Sequence, residues 1–351
     1  MEILKQILED KISSSAFFVL ISLYVFVLSA DFVSPYHPNT RDVKASYLPP
    51  SKIYFFDSGK LVCPFVYSIK TSFNDDSLTK IIEEDKSKKY NINLFVRGEK
   101  YSVLGIFESD LHLFGLNTNE QKLYLFGTDK NGRDIFSRIL YGGRPSLTIG
   151  FLGLLIIFPL GIIYGGIAGY FGSYLDNIMM RFAEAIMSLP FFYLIVVLAS
   201  VLPENISNSQ RFLLITIILS FVSWAGLSRI IRGQVLSIKE EDFVTSAKAI
   251  GENDFNILMK HIIPQTFSYL AVAITLSVPG FIIGESALSF LGLGINQPDP
   301  SWGNILSEGK DLSNIMIRPW ILFIPAFCIF VSVLSFNLLG DKFRDILDPR
   351  R

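Results

Sequence analysis

The chain is short of the residues that carry most protein chemistry. Two cysteines, Cys63 and Cys328, and three histidines, His37, His112 and His261, are scattered through 351 residues. Cys63 falls in a long loop and Cys328 in an apolar run. They are expected at different levels of a membrane, which excludes a bridge. No histidine stands at a ligand spacing from another, so no metal centre is expected. Charge is scarce too. Only 18% of residues are charged, against roughly 25% in soluble domains. Lys and Arg number 31 against 32 Asp and Glu. With no basic surplus to neutralise phosphates, nucleic acid is not an expected partner. A phosphate-cradling loop needs G-x-x-x-x-G-K-[ST]. The nearest approach, "GNILSEGKD" from Gly303, has one residue too many between its glycines and Asp311 after the lysine. No nucleophile, base and orienting group fall together either. An enzyme is therefore not expected, and no cofactor is expected on this chain.

What the chain does have is long uncharged runs. A bilayer span takes about 20 mostly apolar residues. Six segments approach that: Ser13–Ala30, Ser146–Tyr170, Leu175–Val201, Phe212–Ile231, Phe267–Gly294 and Trp320–Gly340. The first could pass for a signal peptide. However, "SADFVSPYHP" offers no small-residue cleavage site, so a retained anchor is expected. Lys and Arg in short loops set the orientation. With the N terminus inside, the inner pieces hold Lys5, Lys11, Arg181, Arg229, Arg232, Lys239, Lys248, Lys260, Lys342, Arg344, Arg350 and Arg351. The short outer ones hold Arg211, Lys310 and Arg318. Both termini are expected inside. The fold class is an all-α polytopic membrane protein with a small inserted domain.

That insert, residues 31–126, reads as mostly β and extracytoplasmic. Three hairpins are expected: "KIYFF" and "LVCPFVYSIK" about "DSGK", "NINLFV" and "YSVLGIF" about "RGEK", and "HLFGL" and "KLYLF" about "NTNEQ". The charged "NDDSLTKIIEEDKSKKY" between the first two reads as solvated. The insert could be a cap over the membrane core or a docking surface. Residues 127–145 read as an interfacial helix, with Ile135, Phe136, Ile139 and Leu140 on one face and Arg133, Asp134 and Arg138 on the other. Thr128 and Asp129 are candidate caps. The core, 146–340, precedes a tail at 341–351. In its first span, Gly161, Gly165 and Gly169 recur every four residues, which lets another helix backbone come close.

Several charges sit in or beside spans. Asp176, Arg181 and Glu184 begin the third, where Arg181 and Glu184 can pair or serve gating. Glu285, with Ser286 beside it, lies deep in the fifth. An ionisable group there faces a pathway or is tied to backbone or a neighbour.

Between the fourth and fifth spans, within 232–266, lies "DFVTSAKAIGENDFNILMKHIIP". It is polar and helical, and it is broken at Gly251 and stopped by Pro264. Phe243, Ala247 and Ile250 form one apolar stripe, and Phe255, Leu258 and Ile262 another. Helices this short do not hold themselves together in water. The stripes must pack on the chain's own membrane part or on a second protein.

This segment resembles the cytoplasmic signature of bacterial ABC importer permeases, E-A-A-x3-G-x9-I-x-L-P. Thr245, Ser246 and Ala247 stand at its E-A-A, Gly251 at its glycine, and His261, Ile262, Ile263 and Pro264 at its end. The first Glu and the Ile are missing; the spacing is right. "GTDKNGRDIFSRILYGGRPSL", "DNIMMRFAEAIMSLP", "GESALSFLGLG" and "PSWGNIL" look like the successive signatures of the peptide/nickel group, in its C-type permease subunit. The insert 31–126 is longer than that family's usual loop. The resemblance implies the type I permease fold of six transmembrane helices and a pathway shared with a homologous permease. It also implies two ATPase subunits that bind ATP and Mg, an extracytoplasmic peptide-binding protein and surrounding membrane lipid. It implies coupling to the ATPase through Glu241, Phe243, Ala247, Ala249, Gly251, Phe255, Leu258, His261 and Pro264. The expected cargo is oligopeptide or dipeptide, with nickel chelates or oligosaccharides as the alternative. A secondary transporter working alone would show inverted repeats, and none is evident.

Overall fold

The computed structural model describes residues 2–57, 60–74, 79–103, 107–118 and 120–347. The helices, in chain order, are α1 Glu2–Glu9, α2 Lys11–Leu28, α3 Ala30–Val33, α4 Ile135–Phe171, α5 Ser173–Ser188, α6 Phe191–Ser200, α7 Asn208–Ile238, α8 Asp242–Ala249, α9 Asp254–Asn256, α10 Phe267–Phe290, α11 Trp302–Glu308, α12 Leu312–Ile317 and α13 Trp320–Leu347. Four strands fall between α3 and α4: β1 Tyr54–Asp57, β2 Lys60–Asn74, β3 Thr79–Val103 and β4 Phe107–Leu116. Among the described residues, 5 helices are long and apolar enough to cross a membrane, or 6 if the bent pair α5 and α6 forms one span. Their outer surface is apolar as well. On α13, Phe323, Phe327 and Phe330 are 63%, 65% and 60% exposed. Such a face is costly in water and at home in hydrocarbon.

The chain divides into two compact units: Met1–Ile21, Pro145–Ile295 and Ile329–Arg351 in one, Ser22–Arg144 and Asn296–Cys328 in the other. In the first, the glycine stripe of α4 meets α7. A Cβ on Gly165 would lie 2.2 Å from the carbonyl oxygen of Ser228, and one on Gly169 2.9 Å from that of Arg232. Only glycine permits this approach. α7 starts on a capping box, in which the Ser207 hydroxyl accepts from the Gln210 amide while the Gln210 side chain accepts from the Ser207 amide.

The third expected span is not one straight helix. α5 and α6 meet at 83°. Pro190 disfavours helical backbone at the residue before it, and Leu189 is extended, with ψ 135°.

In the second unit the four strands form one antiparallel sheet in the order β1-β2-β3-β4. The first hairpin forms as expected, with Asp57 opposite Lys60; Ser58 and Gly59 of its turn lie outside the described residues. The charged stretch expected to be solvated is exposed at Glu83, Lys86, Ser87, Lys88 and Lys89, but it is strand: Lys80–Tyr90 belongs to β3 and pairs with β2, Ile81 facing Ser72 and Tyr90 facing Val66, while residues 75–78 of it lie outside the described residues. Its charges find partners across the ladder, as Lys70 does with Asp85 at 2.8 Å. "RGEK" is not a turn. The β3–β4 register shifts between Arg97 and Tyr101, so β3 passes through it as a bulge. The third hairpin does not form. Lys122–Phe126 lies outside the strands because other groups take its amides: Leu123 N donates to Tyr36 Oη at 2.8 Å and Tyr124 N to Ser51 Oγ at 3.0 Å.

The expected interfacial helix is also corrected. Helix begins only at Ile135 and runs on to Phe171. Its cap is Asp134, whose Oδ2 accepts from Ser137 N at 2.9 Å and Ser137 Oγ at 2.5 Å, and neither Thr128 nor Asp129 serves. Arg133, Asp134 and Arg138 do not face a solvent. Both arginines are 0% exposed. Arg133 is held by buried carboxyls, its Nε by Asp129 at 2.6 Å and its Nη2 by Glu308 at 3.1 Å, and Arg138 by Gln297 at 3.2 Å and the Pro298 carbonyl at 3.2 Å. Arg138 Nε lies 3.6 Å from Asp129 Oδ2, an ion-pair contact without a hydrogen bond; a buried guanidinium needs such opposite charge and acceptors around it.

Candidate functional site

The polar segment between α7 and α10 folds as a two-limbed elbow. α8 carries Asp242 in its first turn and Lys248 in its last, each favourable to the helix dipole. It ends in a Schellman motif: Gly251 N donates to the Lys248 carbonyl at 3.0 Å and Glu252 N to that of Ala247 at 3.2 Å. That motif requires a left-handed residue, and Gly251 has φ +82°. Asn253 then caps the second limb, its side chain accepting from Phe255 N at 2.9 Å. One α-helical turn, α9, passes into a π-helix over Ile257–Ile262 and a 3-10 turn over Ile263–Thr266. π-Helical turns are rare and are enriched at functional positions. Pro264, which has no amide to donate, stands just beyond this one.

The two apolar stripes split between two directions. Val244 and Ala247 of α8, with Ile257, Leu258, Ile262 and Ile263, are buried in one cluster with Tyr170, Leu227, Ile231, Val235 and Leu270. Ala247 and Leu258, expected to contact an ATPase, are thus occupied by the chain's own helices. The reason is register: they fall on the side of each limb that faces α4 and α7. Glu241, Phe243, Ala249, Gly251, Phe255 and Pro264 are exposed. Ile250 and Phe255 stand out furthest, at 82% and 66%. His261 is half-buried, with Nε2 2.9 Å from Glu252 Oε2.

Three contacts that the sequence did not announce fasten the elbow's surroundings. Arg232 on α7 holds Asp176 on α5 through Nε at 3.0 Å and Nη2 at 2.5 Å. Lys239 Nζ donates to the Gly169 carbonyl at 3.2 Å. Tyr170 Oη donates to Asp254 Oδ1 at 2.5 Å. Each joins residues 56 to 84 positions apart, beyond any local pattern. Arg181 and Glu184 do pair, at 3.5 Å, with both side chains well exposed. An exposed pair of this kind adds little stability.

Glu285 is 0% exposed. Its carboxyl accepts from Ser146 Oγ at 2.9 Å and Ser289 Oγ at 2.7 Å, with Ser286 Oγ at 3.4 Å. Ser289 Oγ in turn accepts from Ile295 N at 3.1 Å. Of the two alternatives for Glu285, a pathway or a tie to its surroundings, the geometry matches the tie: Glu285 and Ser286 lie in the packed interior, where hydroxyl donors offset the burial. A cleft of about 240 Å³ opens elsewhere, between Phe191, Leu219, Ser223, Leu276, Ser277, Gly280 and Phe281.

Comparison with known proteins adds what geometry alone does not. Residues 145–351 match the model of the family described as "binding-protein-dependent transport system inner membrane component". The oligopeptide transport system permease protein OppC of Haemophilus influenzae is 41% identical, over 69% of this chain and 76% of that one. The dipeptide transport system permease protein DppC of Bacillus subtilis is 40% identical, over 71% and 77%. Among solved structures, a chain of an amino acid ABC transporter covers 60% of this chain and 95% of its own length, at 18% identity and a TM-score of 0.44.

Proposed function

The chain belongs to the family of inner membrane components of binding-protein-dependent transport systems, and from that premise we propose that it is the permease subunit of an ATP-driven importer of oligopeptides or dipeptides. It is a multi-pass membrane protein and a transport component, not an enzyme. With a homologous permease it forms the translocation path. Two ATPase subunits supply the energy with ATP and Mg, and an extracytoplasmic binding protein delivers the peptide. Both termini and the elbow face the cytoplasm.

The identity to named peptide permeases, near 40% over most of the chain, carries this reading. The elbow supports the energetic part of it. Its inner face is rooted among α4, α7 and α10, while Phe243, Ile250 and Phe255 project as an apolar outer face. In this reading those side chains fill a groove on an ATPase subunit, and closure of the ATPase pair displaces the elbow and the helices attached to it. Arg181 and Glu184 stay a peripheral pair, and Glu285 is a buried clamp between α4 and α10.

Reconstitution tests it. The chain, its co-expressed permease and two ATPase subunits in proteoliposomes, with the binding protein, should accumulate labelled peptide only when ATP is supplied. A cysteine at Phe255, with Cys63 replaced by Ser, should cross-link to an ATPase subunit during turnover. Peptide uptake by this chain alone, without ATP, would overturn the proposal.

A further inference from the structure

The bend at Gly251 has no steric stop: nothing lies within 4 Å of where a Cβ would sit. The Schellman bonds to Lys248 and Ala247 close the end of α8 but reach no further than Glu252, so the angle of the second limb rests on contacts beyond the joint. The two limbs therefore need a brace if the elbow is to move as one piece.

Tyr170, on the last turn of α4, touches both limbs. It is 9% exposed and belongs to the cluster that contains Val244 and Ala247 of the first limb and Ile257 and Leu258 of the second. Its polar contacts are divided in the same way. Lys248, three residues before the glycine, sets Nζ 5.3 Å from the ring centroid, within the range of a cation–π contact. Asp254, three residues after it, accepts the hydroxyl proton at 2.5 Å. A hydrogen bond to a charged acceptor is stronger and more directional than a neutral one. Beside Tyr170, Gly169 gives its carbonyl to Lys239, so the same turn of α4 is held by the chain entering the elbow as well.

We propose that Tyr170 is a positioning residue for energy coupling: it fixes the angle between the limbs at Gly251 and passes the elbow's displacement to α4. This rests on the reading of the elbow as the ATPase contact. The ring supplies packing common to many core aromatics. The hydroxyl, aimed at one carboxylate, is the part specific to the task.

The experiment uses the complete complex in proteoliposomes and reads peptide imported per ATP hydrolysed. Tyr170→Phe keeps the ring and the Lys248 contact and loses only the donor. The ratio should fall about tenfold, the scale of one hydrogen bond to a charged group. Asp254→Ala, at an exposed position, should cause the same loss, and the double variant no more. Asp254→Asn retains an acceptor oxygen and should restore most of the ratio. A merely structural tyrosine would leave the ratio unmoved whatever happened to either rate. A ratio lowered less than about threefold in Tyr170→Phe, or losses that multiply in the double variant, would overturn the inference. If the unmodified complex shows no ATP-dependent uptake, the proposed function itself falls, and the two failures are thereby distinct.

Discussion

Asp134 shows how one carboxyl can cap a helix at a cost. Burial pushes its pKa up from 3.8 to about 6, against the lowering effect of the Ser137 hydrogen bonds, with the nearby Asp129 charge adding to the rise. Between those values the folded chain holds a proton that the unfolded chain has released. This contribution to stability is therefore fully present below pH 3.8 and is lost as pH climbs through about 6. At neutral pH the ionised form costs on the order of 3 kcal/mol. Asp134→Asn keeps an acceptor for the cap and removes the charge. It should raise the thermal midpoint of the purified protein at pH 8 and leave it nearly unchanged at pH 4. An equal change at both pH values would refute the assignment.

Gly251 makes a complementary case. Its φ of +82° is the constraint, and space is not. A left-handed backbone costs an ordinary L-residue about 1–2 kcal/mol, and asparagine tolerates it best. ATP-linked uptake should thus rank Gly251 and Gly251→Asn above Gly251→Ala, with Gly251→Val lowest, while membrane insertion is unaffected. Full uptake in Gly251→Val would argue against a mechanical role for the bend.

At the scale of the element, α4 and α7 illustrate what periodicity can and cannot reveal. Glycines at 161, 165 and 169 announced a close helix contact, but the identity of the opposing helix depends on tertiary packing. Gly165 is the tightest point, because its neighbour is the Ser228 backbone, which cannot swing away. Gly165→Ala should lower stability by about 1–3 kcal/mol, seen as a lower melting temperature in detergent. Gly166→Ala, 3.3 Å from Cδ1 at the end of the Ile263 side chain, needs a shift of only a few tenths of an ångström and should be close to neutral. Equal effects would mean that the packing is not set at this contact. The elbow's stripes were legible as apolar. Their division between an inward and an outward face was not, because Ala247 and Phe243 sit four residues apart on a helix too short to define one face. The charged β3 was missed for a related reason. Its pairing with β2 supplies the stability, and intrinsic strand propensity is a weak guide where cross-strand partners decide.

For the molecule as a whole, the membrane class was readable from apolar length, since lipid leaves few ways to satisfy a backbone; of the six expected spans, five are single long apolar helices among the described residues, and the remaining one is the bent pair α5 and α6. The buried arginines were not readable, because apart from Asp129 their acceptors lie at residues 297–308, more than 150 positions away. Orientation is open to a direct measurement. Cys63 is exposed and free. A membrane-impermeant thiol reagent should label it in intact cells, and Cys63→Ser should abolish that signal. A cysteine at Phe255 in the same background should react only after permeabilisation. Labelling of the Phe255 cysteine in sealed cells would invert the proposed topology.

The sharp turn between α5 and α6 has a further consequence. α6 opens on Pro190 with no side-chain cap, so the amides of its first turn have no helical partner. Leu189 and Phe191 around them are 51% and 43% exposed. Bare amides of this kind cost several kcal/mol each against acyl chains. Lipid tails cannot wet that corner. That corner therefore belongs where water, or another polypeptide, can reach those amides.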